Sequence, residues 1–115
     1  MGAVAEYHIK PPVTAAIEAV EWDGTPEDAA SILEWFQKFR GPNETMWFHE
    51  ADGTATDVTY IMLKTGHISM SARKGDYIVR SSKSKTEPKK FQIYKKHAFE
   101  AGFYKVGDPS VTNVQ

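Results

Sequence analysis

The chain contains no cysteine. That excludes disulfides and thiolate metal sites, and it suits a reducing compartment. No stretch approaches the ~20 consecutive apolar residues of a membrane helix, so no membrane partner is expected. The opening "MGAVAEYHIKPPV" lacks the apolar run of a signal peptide, and a cytoplasmic protein is the expectation. Glycine-rich phosphate loops and a Gly-x-Ser-x-Gly elbow are also missing. Without these or a thiol, nucleophilic catalysis has no support, and the chain reads as a non-enzyme with no cofactor. His8, His49, His67 and His97 are scattered, with no pair at ligand spacing, so no metal site is expected. His49-Glu50 with Asp52 and Asp57 could gather oxygen ligands, but the alternating ligands of a calcium loop are absent. Gly75-Asp76 reads as a turn rather than an acid: Gly permits positive φ, and Asp can bond the local backbone.

What is present is a globular composition, 41% hydrophobic and 25% charged, over 115 residues, which suits a single domain with its own core. Charge is divided along the chain. Residues 1–60 carry three basic and eleven acidic side chains, 3 − 11 = −8, and residues 61–115 carry eleven and four, 11 − 4 = +7. Strands from the two halves can pair, so this is either internal compensation or a functional electrostatic face.

The pattern predicts an α+β fold: a small, mostly antiparallel sheet of about five to six strands packed on one main helix, with a short C-terminal helical turn. Residues 1–12 read as a flexible arm ending at Pro11-Pro12, residues 13–106 as one domain, and residues 107–115 as a flexible tail. Val13–Trp22 reads as a central strand covered on both faces, broken only by Glu18. The helix is predicted over 26–40. Thr25 is the N-cap, Pro26 occupies the first position, Glu27 and Asp28 face the positive end, and Gly41-Pro42 stop it. Ala29, Ile32, Leu33, Phe36 and Phe39 form its apolar stripe, which leaves Trp35 at the edge or exposed. Thr45–Glu50, Thr56–Thr65, His67–Ala72, Tyr77–Ser81 and Lys89–Lys96 read as strands, joined most simply as a meander. On one of them Val58, Tyr60 and Met62 share one face, and Thr59, Ile61 and Leu63 the other. On another, Ile68, Met70 and Ala72 point inward. Ser81–Pro88 has loop composition. His97–Gly102 allows a helical turn, and Phe103–Val106 a last short strand.

From Val13 onward the pattern resembles a family of small phage and prophage proteins of unassigned function. Its members open close to V-x-A-x-x-W-x-G and close on a run like P-G-D-Y-I-V, then F-Y-x-x-K-P-D-I-F-E. Here the opening is Ile17-Glu18-Ala19-Val20-Glu21-Trp22-Asp23-Gly24. The closing run is Lys74-Gly75-Asp76-Tyr77-Ile78-Val79-Arg80, then Phe91 to Glu100. About two-thirds of the chain is covered. Lys74 replaces the usual proline, Ser81–Pro88 lengthens a tight turn, and Lys96-His97 stands for Pro-Asp. The resemblance implies a compact α+β fold, a phage origin and action in the host cytoplasm. It supplies no catalytic residues.

Two surfaces are candidate sites. The first is basic: Arg73, Lys74, Arg80, Lys83, Lys85, Lys89, Lys90, Lys95 and Lys96. On a strand, Lys90, Gln92, Tyr94 and Lys96 would share a face, which suits phosphate contact with base stacking. Solvated lysines that deter edge pairing give the same pattern, and so would a site for an acidic protein. The second surface is aromatic, with Trp35 and Trp47 as interface anchors and Trp22 in the core. The expected function is that of a phage accessory protein that binds and modulates a host protein. Alternatives are nucleic-acid binding through residues 80–96 and a minor virion role. Homo-oligomerisation would use a strand edge at Val58–Leu63 or Phe91–Tyr94.

Overall fold

The computed structural model describes residues 4–9, 16–82 and 86–105. The expected tail, Pro11-Pro12, Val13–Ala15, Lys83 and Lys85 lie outside the described residues. Among those described, eight strands and two helices form an α+β fold. The strands are β1 (Ala5–Ile9), β2 (Ala16–Glu21), β3 (Glu44–His49), β4 (Tyr60–Thr65), β5 (Ile68–Ala72), β6 (Tyr77–Ser81), β7 (Lys90–Tyr94) and β8 (Phe103–Lys105). The helices are α1 (Pro26–Phe39) and α2 (Lys96–Gly102).

The strands divide between two antiparallel sheets rather than one meander. The larger runs β7-β6-β2-β1-β8 and the smaller β3-β4-β5. The β3-β4-β5 run and the β6–β7 hairpin keep the expected order. The departure is β2, which pairs with β6 from the far half of the chain. Strand β2 is central and covered on both faces, as its sequence predicts. Val20 and Trp22 enter a core with α1 and the inner face of the small sheet. Ile17 and Ala19 enter a second core with Phe99 of α2, Tyr77 and Val79.

The expected arm contains β1, which lies between β2 and β8. Its alternation delivers Tyr7 to the second core, edge-on to Phe99 at 4.9 Å and to Tyr77 at 6.2 Å. That aromatic contact and pairing on both sides order a segment too short to be legible by periodicity.

Helix α1 is capped as its sequence predicts. Thr25 Oγ1 accepts from the Asp28 N–H at 3.1 Å, and Asp23 Oδ1 accepts from the Thr25 N–H at 2.9 Å. Its buried arc is centred on Ile32 and includes Ala29, Phe36 and Trp35, while Leu33 is only half-buried. Trp35 is therefore core, 9% exposed and edge-on to Phe91 at 5.1 Å, and it cannot serve as an exposed anchor. Phe39 is exposed but carries the Arg80 guanidinium 4.2 Å above its ring. Ile68 was expected inward, but it sits beyond the core at the end of β5 and is 62% exposed.

Candidate binding surface

The basic residues of 73–96 do not converge. Pairing of β2 with β6 sets Glu18 opposite Arg80, and Arg80 Nη1 reaches Glu18 Oε1 at 2.6 Å. Lys96 Nζ lies 2.5 Å from Glu21 Oε2 and 3.4 Å from Glu100 Oε2. Lys95 Nζ donates to Asp76 Oδ2 at 3.0 Å. The acidic and basic halves are thus interleaved, and three of the candidate cations are committed to internal carboxylates. Asp76 is a turn residue as expected. It is buried, and its Oδ2 also accepts from the Arg73 N–H at 2.9 Å.

The remaining cations separate. Arg73 and Lys74 sit beside the Tyr77 end of β6, whereas Lys89 and Lys90 sit beside its Ser81 end, one strand length or about 13 Å away. Lys89 borders a cleft that also holds Glu6 and Glu18. Tyr94 packs edge-on to Phe99 at 6.0 Å and Phe103 at 5.5 Å. Lys90, Gln92 and Tyr94 share one face of β7 as expected, but Tyr94 is packed into the second core and Lys96 lies in α2, so the four do not form one open surface.

The polar group around Lys96 is structural. Tyr77 donates to Glu100 Oε2 at 3.1 Å. Burial, with help from the Glu21 charge, pushes the Tyr77 hydroxyl well above the ordinary tyrosine range. Its hydrogen bond to Glu21 holds the Lys96 ammonium up, so it stays charged. A protonated tyrosine and a paired lysine close the end of the second core.

A different surface assembles on the small sheet. The register of β3, β4 and β5 puts Met46, Phe48, Ile61, Leu63, Met70 and Ala72 on the inner face. The outer face carries Thr45, Trp47 and His49 on β3, Tyr60, Met62 and Lys64 on β4, and Ser69 and Ser71 on β5. Arg73 follows one step on. None of these nine is buried, and none is acidic. Trp47 is 40% exposed and directly opposite Met62. His49 stacks on Tyr60 with centroids 4.9 Å apart, and the Arg73 guanidinium lies 5.5 Å from the same ring. The structure therefore unites one basic candidate, Arg73, with one aromatic candidate, Trp47. Periodicity puts Val58, Tyr60 and Met62 on one face; β4 begins only at Tyr60, and the register alone shows that the face of Tyr60 and Met62 is the open one.

His49 is held from the margin. Its Nε2 lies 2.8 and 3.0 Å from the two Asp57 oxygens, and Asp57 Oδ2 also accepts from the Asp52 N–H at 2.8 Å. Among the described residues no group of His, Asp and Glu could hold a metal ion. The bond from His49, then that from Asp52, holds the Asp57 carboxyl below its ordinary range. The folded chain therefore favours charged Asp57. That preference is present above the ordinary carboxylate pKa and is lost as pH falls through the lower, folded value. A His49→Phe variant should raise the Asp57 midpoint toward the ordinary range in a carboxyl NMR titration. An unmoved midpoint would remove His49 as the cause.

Of the two strands expected to offer an edge, β4 lies inside its sheet and β7 ends its sheet with one outward group occupied. Strand β4 is paired on both sides, and the outward Phe91 N–H of β7 is donated to Glu44 Oε2 at 3.0 Å. No described helix is long and apolar enough to cross a membrane. Compared with family models, curated proteins and solved structures, the chain matches none.

Proposed function

We propose that this chain is a non-enzymatic accessory protein that binds a protein partner on the open face of the small sheet. The observation that carries the reading is Trp47. It is 40% exposed beside Met62, on a sheet face that the described residues leave uncovered. Exposed tryptophans flanked by apolar and cationic side chains are the residues that dominate interface energies. The phage resemblance, which rests on motifs alone, extends the reading to a bacteriophage protein that modulates a host protein in the host cytoplasm.

A second reading, single-stranded nucleic acid on the same face, is favoured by Lys64, Arg73 and the neighbouring rings. Against it, Tyr60 already holds His49 and Arg73, which leaves Trp47 as the open stacking surface.

The test is affinity capture from the cells in which the chain occurs, with and without nuclease, followed by reconstitution with the purified captured protein. Trp47→Ala is expected to weaken the reconstituted complex by about thirtyfold, the scale of an interface hot spot, while leaving the melting temperature unchanged. Binding abolished by nuclease, or unaffected by Trp47→Ala, would sink the protein-partner reading.

A further inference from the structure

We propose that the partner presents an acidic, extended segment that adds to β3 as a fourth strand of the small sheet. This rests on the docking-face reading above and specifies how that face is used.

The described sheet edges are not equivalent. Glu44 occupies the outward Phe91 N–H of β7. On β5, the Ser71 carbonyl accepts from Lys95 Nζ at 3.2 Å, and β7 lies alongside. Strand β8 has three residues. Strand β3 has six, with β4 as its sole strand partner among the described residues, and no proline, glycine or lysine occurs within it.

The free groups of β3 follow from its register. The Asn43 carbonyl accepts from the Gly66 N–H at 3.0 Å, one step beyond the Glu44–Thr65 pair. Alternation in an antiparallel pair then turns the main-chain groups of Glu44, Met46 and Phe48 away from β4. Arg40 Nε donates to the Glu44 carbonyl at 3.0 Å, which agrees with that assignment. Among the described residues nothing takes up the N–H and C=O of Met46 and Phe48, which leaves them for an incoming strand.

The chemistry of the segment follows from the face it extends. The nine outer positions include Lys64 and Arg73, neither with an ion-pair partner among the described residues, and no carboxylate. A strand added beyond β3 lies two strand spacings from β4, about 10 Å. A glutamate on it can meet Lys64 across the short Thr45 side chain, and Arg73 adds to the attracting potential. Alternate apolar residues would flank Trp47. Nucleic acid has no use for the Met46 and Phe48 main-chain groups, which favours a peptide.

The test selects peptides of about ten residues, enough to cover one strand, from a random library against the full chain at low salt. Acidic sequences with alternating apolar residues should be enriched. The best of them should slow hydrogen exchange at the Met46 and Phe48 amides about tenfold or more, since pairing removes these amides from water. Lys64→Glu should weaken it about tenfold. Failure to enrich any peptide, enrichment of neutral or basic sequences, or unprotected Met46 and Phe48 amides would overturn strand addition. So would tighter binding of a single-stranded oligothymidine. If selected peptides bind Trp47→Ala as well as the parent chain, the docking face itself is wrong. If they are lost with Trp47→Ala but leave the two amides unprotected, the face stands and only the added strand fails.

Discussion

Trp22→Ala is expected to remove about 3–5 kcal/mol of stability, read from urea unfolding by far-ultraviolet circular dichroism. Against the ~5–15 kcal/mol of an ordinary domain, that leaves a marginal protein. Trp22 is 0% exposed and meets Phe48 of the small sheet edge-on at 6.0 Å. Its indole N–H donates to the Thr25 carbonyl at 2.9 Å, which ties the end of β2 to the start of α1. Its main chain also closes the turn before β6, because its N–H donates to the Asp76 carbonyl and its C=O accepts from the Gly75 N–H at 2.7 Å. Removing the ring opens a cavity where both sheets and the helix meet. Trp22→Phe separates the ring from the indole N–H. The Thr25 carbonyl keeps a bond from the Ala29 N–H, so this variant should cost only about 1–2 kcal/mol. A Trp22→Ala loss below about 1 kcal/mol would show that the site collapses without a cavity.

The same corner shows why neighbouring segments were legible to different degrees. Thr25, Pro26, Gly41 and the apolar spacing of α1 are local signals, and the helix follows them closely. Trp35 was harder, because a helical period cannot tell which edge of a stripe meets the sheet. Phe91 decides it, and β7 arrives there only through its pairing with β6. Gly24 and Gly75 illustrate the same limit. Each has φ near +90°, as a turn glycine allows, but only the fold brings the Lys74 side chain within 2.9 Å of where a Gly24 Cβ would stand.

The candidate surface was legible residue by residue but not as a place. Trp47 and Arg73 stand out for their types, far apart in sequence, and the β3-β4-β5 register puts them on one face with Met62 and Tyr60 between them. The dense lysines of 80–96 stood out more strongly, and the described ones carry less of a surface than their density suggested. The reason is non-local: β2 brings Glu18 and Glu21 to Arg80 and Lys96. A charge run is read along the chain, whereas charge is neutralised across strands.

Glu44 ties the start of β3 to the end of α1 and to β7, and its removal should be the second large loss. It is buried at the start of β3. One oxygen accepts from the Gly41 N–H at 2.6 Å, just past α1, and the other from the Phe91 N–H on β7 at 3.0 Å. Glu44→Ala leaves both donors without their acceptor. An orphaned buried donor costs about 1–3 kcal/mol; the Phe91 donor is buried and the Gly41 donor half-buried, so the two together predict a loss of about 2–5 kcal/mol in urea unfolding. Glu44→Gln distinguishes this account from a simple packing defect. The glutamine amide fills nearly the same volume, and its carbonyl can accept one N–H, but its NH2 must face the other. It should therefore cost about 1–3 kcal/mol despite conserved shape. Hydrogen exchange locates the defect: the Phe91 or the Gly41 amide should lose protection, while Thr45 and Trp47, whose groups face β4, keep theirs. A Glu44→Gln variant as stable as the parent would mean that the carboxylate fills space there rather than holding the edge of β7. That outcome would also reopen β7 as an edge for pairing, in competition with β3.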